Sequence, residues 1–422
     1  MRFETPNRLI RSILVASAIA LVGAAPALAQ SSLSLAEAQR LAVERSRGLA
    51  SQRLAVDAAR EMAVAAGQYP DPILSLSVEN VPAQGADRFS LTRDFMTMKR
   101  VGVMQELTGR EKRALRAERY DIEGRKALAE QAAVLASVQR DTALAWLDTW
   151  YAERVVGAIA ELRERALQEV QAAESEYRAG KGSQPEVLMA HTNVAMLDDR
   201  AAEALRKARN ARAVLARWAG DGAATRTLGP VPDIGTHGMS AHDEILAGHP
   251  EIETLARAQE VAAAEARLAR ANRTPDWSIE LAYQELASRF GDMFTVGVSI
   301  PLPWDRANRQ DRELAAKLAM AEQAQAMREE ALRKHVAEVR TMLNEWESNR
   351  SRIARYEREI VPLAKARFEA AATAYRGGKS SRSEVLAALR AELDARLMAL
   401  MLESETARLW AQLTYLIPEN VK

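Results

Sequence analysis

Cysteine is absent from all 422 residues. An exported chain without it has no disulfide, and no thiol follows the leader to carry a lipid anchor. Aromatic residues are scarce, 5% of the chain against 27% charged, which fits long helices with a thin apolar seam better than one thick core. Net charge is scarce too. The whole chain is +1, and removing Arg2, Arg8, Arg11 and Glu4 with the leader leaves −1. That balance lacks the basic footprint of a nucleic-acid binder. Long apolar runs are missing. Ile13 to Val22 is about half of the ~20 residues a membrane-spanning helix needs, and nothing later exceeds it.

Chemistry is equally sparse. There is no nucleophile elbow and no Gly-rich phosphate loop, so no enzyme and no cofactor is expected. None of the five histidines, His191, His237, His242, His249 and His335, lies four residues from another or in a His-Glu-x-x-His frame. No fixed metal site is expected from them. Met96, Met98 and Met104 cluster around one alternating run. Thioethers suit soft metals such as Cu(I), but packing against lipid or a loop is the plainer reading.

What is present begins with an export signal at 1–29. Arg2, Arg8 and Arg11 precede the short apolar core, and Ala27-Leu28-Ala29 is a small-x-small cleavage site. After it comes a duplication. YRAGKGSQPEVL from Tyr177 to Leu188 returns as YRGGKSSRSEVL from Tyr375 to Leu386, at a constant offset of 198. Repeats are read before other features. They divide the chain into a first unit at 30–219, a linker or equatorial segment at 220–238 and a second unit at 239–422.

Each unit reads as helix, two strands, long helix, sharp tip, helix. The first has helices at Ser34 to Gly67, Gly109 to Ala179 and Ser183 to Trp218. The second has them at Ser240 to Arg273, Arg306 to Arg376 and Ser383 to Leu416. The long helices have about 71 residues, or ~105 Å at ~1.5 Å each. In both units the two shorter helices together match the long one, so they can stack end to end along it. Pro362 removes a backbone donor and is expected to kink the second long helix.

The strands alternate. They are expected at Leu74 to Asn80, Lys99 to Leu107, Trp277 to Tyr283 and Phe294 to Ile300. Phe294, Val296, Val298 and Ile300 face one way, opposite Thr295, Gly297 and Ser299. Apolar-out, polar-in alternation with aromatic flanks is the pattern of a membrane β-barrel strand. Four strands cannot close a barrel, and open edges are not tolerated in lipid, so several copies must pool strands. Three would give twelve.

The tips are the candidate docking sites: Gly180, Lys181, Gly182, Ser183 and Leu188 in the first, Gly378, Lys379, Ser380 and Leu386 in the second. Glycine admits the positive φ of a sharp turn, and Ser183 or Ser380 can cap the next helix. Glu186 and Glu384 follow by one helical turn and are candidates to line a pore mouth. The plain alternative is that they make local ion pairs with Lys181, Lys379 or Arg382.

With these residues in place the chain resembles the TolC-type outer-membrane efflux proteins, and within them the CzcC/CusC-like heavy-metal branch. SLAEAQRLAVERS, PDPILSLSVEN, QELTGREKR, VGVSIPLPWDR and the paired tips carry the likeness. The resemblance implies a fold that is mainly α with membrane β. Long α-helical hairpins would form a periplasmic helical barrel, and four strands per chain would enter a trimeric 12-stranded outer-membrane β-barrel. It implies a passive exit duct, contacting outer-membrane lipid, for heavy-metal cations delivered by an inner-membrane RND-type pump and a periplasmic adaptor (membrane fusion protein). Alternatives are a pore-free periplasmic coiled-coil or adaptor protein, or a channel for drugs or proteins.

Overall fold

The duplication is visible in the order of elements. The computed structural model describes residues 32–234, 248–286 and 291–416. Its first unit holds α1 (Leu35–Arg45), α2 (Arg47–Ala66), β1 (Ile73–Glu79), β2 (Met98–Leu107), α3 (Arg110–Arg178) and α4 (Gln184–Ala219). A short α5 (Asp221–Ala224) follows. The second unit holds α6 (Pro250–Ala271), β3 (Trp277–Glu285), β4 (Met293–Ser299), α7 (Gln310–Arg355), a π-turn (Tyr356–Ile360), α8 (Val361–Arg376) and α9 (Arg382–Thr414). The expected leader lies outside the described residues.

α3, 69 residues long, is the spine, and ~1.5 Å per residue makes it ~104 Å. α2 packs along one part of it and α4 along another, the end-to-end stacking that the helix lengths anticipate. Its buried stripe is rich in alanine, including Ala136, Ala143, Ala166 and Ala173, which lets neighbouring helices approach closely.

Three expectations need correction. The first helix is two. Ser46 leaves helical geometry at ψ 108 and caps the second piece by accepting from the Leu49 N–H, because a serine hydroxyl competes for free backbone donors. The single helix expected from Ser240 to Arg273 is broken at His249, which leaves helical geometry and caps a helix starting at Pro250. A proline is favoured in a first turn, where its missing donor costs nothing; residues 240–247 lie outside the described residues. Where a kink is expected, Pro362 stands in the first turn of α8 directly after the π-turn, which interrupts the α-helical hydrogen-bond pattern. The 220–234 part of the linker is also more ordered than its Gly and Pro content implies. It carries α5 and a parallel bridge from Leu228 to Leu33, and Arg226 is paired with Glu37 at 2.8 Å.

That strap sits on the main core. Leu33, Trp146, Leu147, Leu215 and Ala411 there are at most 0% exposed, and the Trp146 indole donates to the Leu33 carbonyl at 3.0 Å. The core therefore joins the chain start, the middle of α3, the end of α4 and the end of α9. A second apolar cluster, nearer the tips, joins α3, α4 and α9.

The strands form one antiparallel sheet in the order β1-β2-β3-β4. No strand pairs with the outer edge of β1 or of β4 among the described residues.

Candidate functional site: the sheet and the two hairpin tips

The sheet register sorts every side chain to one of two faces, since residues directly opposite share a face. Leu74, Val103, Leu281 and Val296 form one row across all four strands, and Leu76, Val101, Tyr283 and Phe294 another. All eight are exposed, from 38% at Tyr283 to 83% at Phe294. An unbroken, exposed apolar band of this kind is at home in lipid rather than water. Trp277 marks one rim, and the Tyr283–Phe294 ring pair lies toward the other. Beyond it Lys99 and Glu285 pair at 3.3 Å, where the band gives way to charge.

The opposite face is polar. Ser75, Gly102, Ala282 and Thr295 form its middle row. A Cβ on Gly102 would stand 2.7 Å from the Ser75 hydroxyl, so the glycine lets this face stay flat. Arg100 bridges Glu79 and Glu280. Glu106 shares the face, opposite Ser278. Two of these carboxylates pair with the Arg100 guanidinium, and Glu106 lies farther along the same face, bonded by Thr108, so the wall is acidic. Met98 and Met104 lie on this inner face rather than on the lipid side, six residues apart along β2, or ~20 Å; Met96 precedes the strand and is exposed. The three do not converge on one point. At the foot of the sheet Lys112 reaches Asp276 at 2.9 Å and the Thr274 carbonyl, tying the start of α3 to the entry of β3.

The two tips close by the same backbone device. Gly180 and Gly378 have φ of +69° and +71°, a region where L side chains are strained. The next N–H in each case turns back on the helix. Lys181 donates to the Glu176 carbonyl and Lys379 to the Ala374 carbonyl, both at 2.9 Å, a left-handed C-cap. Ser183 caps α4. Its N–H and hydroxyl donate to the Glu186 carboxylate at 2.9 and 3.0 Å. In the second tip the N-cap is Ser381, not Ser380. Its hydroxyl accepts from the Glu384 N–H at 3.4 Å, while the Ser380 hydroxyl donates to the Glu384 carboxylate. Glu186 and Glu384 thus fold back on their own caps.

The tips differ in their surroundings. Leu386 is 3% exposed, whereas Leu188 at the matching position is 58% exposed. Arg382, 1% exposed, sits between Glu176 at 2.6 Å and Glu169 at 3.1 Å, and also donates to the Tyr375 hydroxyl at 3.0 Å. Burial pushes the Glu169 carboxyl above the usual carboxylate range, against the pull of Arg382. Burial also raises Glu176, but hydrogen bonds from Tyr375 and Arg382 overcome it and the net shift is downward. This cluster escapes a reading of the shared tip motif, because its centre is where the copies differ: Gln184 stands at the place of Arg382.

The fold also joins two histidines that sequence spacing keeps apart. The His249 and His335 rings lie 4.2 Å apart between centroids, beside a cavity of about 840 Å³ lined by Arg140, Glu251, Lys334 and Glu338 among others. Burial, with His335 and Arg140 nearby, pulls His249 down to about 4. Burial also lowers His335. His191 pairs instead with Glu174 at 3.1 Å, and His237 and His242 lie outside the described residues. Among the described residues, no three His, Asp or Glu side chains gather as a metal-binding group, and no helix is long and apolar enough to cross a membrane.

Residues 241–417 match the model of the family described as outer membrane efflux protein. Among solved structures the chain is similar to the CusC channel, at 18% identity and a TM-score of 0.76 over 92% of each chain. It is similar to the CmeC outer membrane channel of Campylobacter jejuni, at 14% identity and a TM-score of 0.78 over 91% of this chain and 85% of that one. It is similar also to the outer membrane protein VceC of Vibrio cholerae, at 18% identity and a TM-score of 0.74 over 90% and 95%. No curated protein sequence matches significantly. The fold is that of these channels, mainly α with membrane β.

Proposed function

We propose that this chain belongs to the outer membrane efflux protein family, whose model matches residues 241–417, and is the exit duct of a tripartite efflux system. It works as a homotrimer, with its sheet in the outer membrane and its helical hairpins reaching into the periplasm. One observation carries this reading. The sheet has a continuous apolar outer face and an acidic inner face, and its open edges at β1 and β4 can be satisfied in lipid only by further copies. Three copies supply twelve strands. Such a duct conducts passively, and the energy comes from an inner-membrane pump coupled through a periplasmic adaptor that meets the tips at Gly180 to Ser183 and Gly378 to Ser380.

Heavy-metal cations are the cargo we favour. Motif resemblance to the heavy-metal branch supports this, and so does the acidic inner wall, where Glu79 and Glu280 pair with Arg100 and Glu106 shares the face. Rings of carboxylates favour cations, and a conduit gains from weak rather than tight binding. A strain lacking the chain, with and without plasmid rescue, tests the assignment against a panel of divalent-metal salts and drugs. Rescue of metal tolerance is expected. Rescue of drug tolerance alone would overturn the cargo, and no sensitisation to either would overturn the efflux role.

A further inference from the structure

Hydroxyls of Ser34, Ser46 and Ser381 cap other helices of the chain, but α6 is capped by a group that takes up protons near neutrality. The His249 Nδ1 accepts from the Glu251 N–H at 3.3 Å. A neutral imidazole carries one proton, so in His249 it sits on Nε2. The next proton can go only to Nδ1, and a protonated Nδ1 is a donor that cannot accept. Acid therefore removes this cap outright, which it cannot do to a hydroxyl.

The His249 ring rests on His335 of α7, 4.2 Å away between centroids. His335 is 9% exposed, and its buried Nε2 has no hydrogen-bond partner among the described residues. Pro250 and Ile252 are buried beside the pair, so the contact seats the first turn of α6. His335, Glu251 and Glu338 line both the cavity of about 840 Å³ and a second of about 510 Å³, and so stand between the two. The charged groups around them are Glu130, Arg140 and Asp141 from α3, Glu251 from α6, and Lys334 and Glu338 from α7. α2 and α9 contribute the uncharged Gln52, Gln412 and Tyr415. Asp141 is held by Arg140 at 2.9 Å and Glu338 lies 3.6 Å from Lys334. Charge on both rings would set two cations face to face. It would also push His249 from Arg140 while drawing His335 toward Glu251 and Glu338.

We propose that the pair is an acid-released latch: when neutral it holds the first turn of α6 on α7, and when protonated it lets that turn open and joins the two cavities. The device belongs to the second unit alone. The first unit has a single histidine, His191, which is exposed and faces Glu174. The size of the effect follows from linkage. The closed latch holds His249 at about 4 against an ordinary 6.5, so the open form binds the proton first and gains as pH falls. The open population should rise about thirtyfold between pH 7.5 and pH 5.

Hydrogen exchange of the full chain in detergent tests this, with labelling times scaled to the pH dependence of intrinsic exchange. Peptides covering 249–257 are expected to lose protection about thirtyfold at pH 5, while those covering 143–151 in the main core keep theirs. The double variant His249→Asn with His335→Gln should show no such loss. Should that variant fail to fold, His335→Gln alone, which leaves the His249 cap in place, should lose protection less than the parent chain. Unchanged protection in the parent chain would overturn the latch, as would an equal loss in the variants. Loss at 143–151 in step with 249–257 would overturn it too, because the whole chain would then be unfolding rather than one turn.

Discussion

Val298 and Ser299 are adjacent in β4 yet belong to the two opposite faces of the sheet. Arginine at Val298 puts charge in the lipid-facing band, at a cost of roughly 2–4 kcal/mol at mid-depth. Arginine at Ser299 puts it on the wetted wall. Outer-membrane levels of Val298→Arg are expected to fall well below those of Ser299→Arg; equal levels would show that the faces are reversed. The histidine pair makes a second prediction at this scale. His249 falls to about 4 from an ordinary 6.5, so the unfolded chain takes up the proton first. The stability it contributes is complete above about pH 6.5 and is lost as pH falls from there toward 4. His249→Asn, whose side-chain oxygen can replace the Nδ1 acceptor of the cap, should flatten the decline in thermal midpoint between pH 7 and pH 5 relative to the parent chain. Parallel declines would remove the pair from the account. Strand faces were legible in the sequence because alternation depends only on neighbours. The histidine pair was not, because His249 and His335 are joined by the packing of α6 on α7, which no local spacing encodes.

Among the elements, the tips show what repetition reveals and what it hides. Positive φ at Gly180 and Gly378 follows from the glycines themselves, so valine at both positions should strain the turns and abolish export while the sheet still inserts. Cross-linking to the adaptor, run beside membrane fractionation, separates a tip defect from a pore defect. Loss of inserted protein would show that the tips serve assembly instead. Arg382→Gln, which copies the residue of the first tip, strands Glu169 and Glu176 without their cation. A loss of roughly 3 kcal/mol is expected for breaking a mostly buried charge cluster, read as a lower midpoint in denaturant; an unchanged midpoint would make the cluster incidental. Helix lengths and strand positions could be read from periodicity and from Gly and Pro breaks. The breaks at Ser46 and His249 and the π-turn before Pro362 could not, since each depends on which backbone groups find partners in the folded chain.

At the scale of the whole molecule, the single chain is unfinished at the two edges of its sheet. Both edges are satisfied if copies meet side by side around an axis, since a closed ring removes every free edge. The order of elements and the four-stranded sheet were legible from the duplication and the alternating strands. The chemistry of each tip was not, because identical motifs sit in different surroundings: Leu188 is open where Leu386 is covered. The most direct test of the duct is single-channel recording from the purified chain in a planar bilayer under a salt gradient. Discrete conductance steps with a cation-selective reversal potential are expected, with selectivity reduced in Glu106→Gln. Membranes that hold the inserted protein but show no conductance steps would contradict the account.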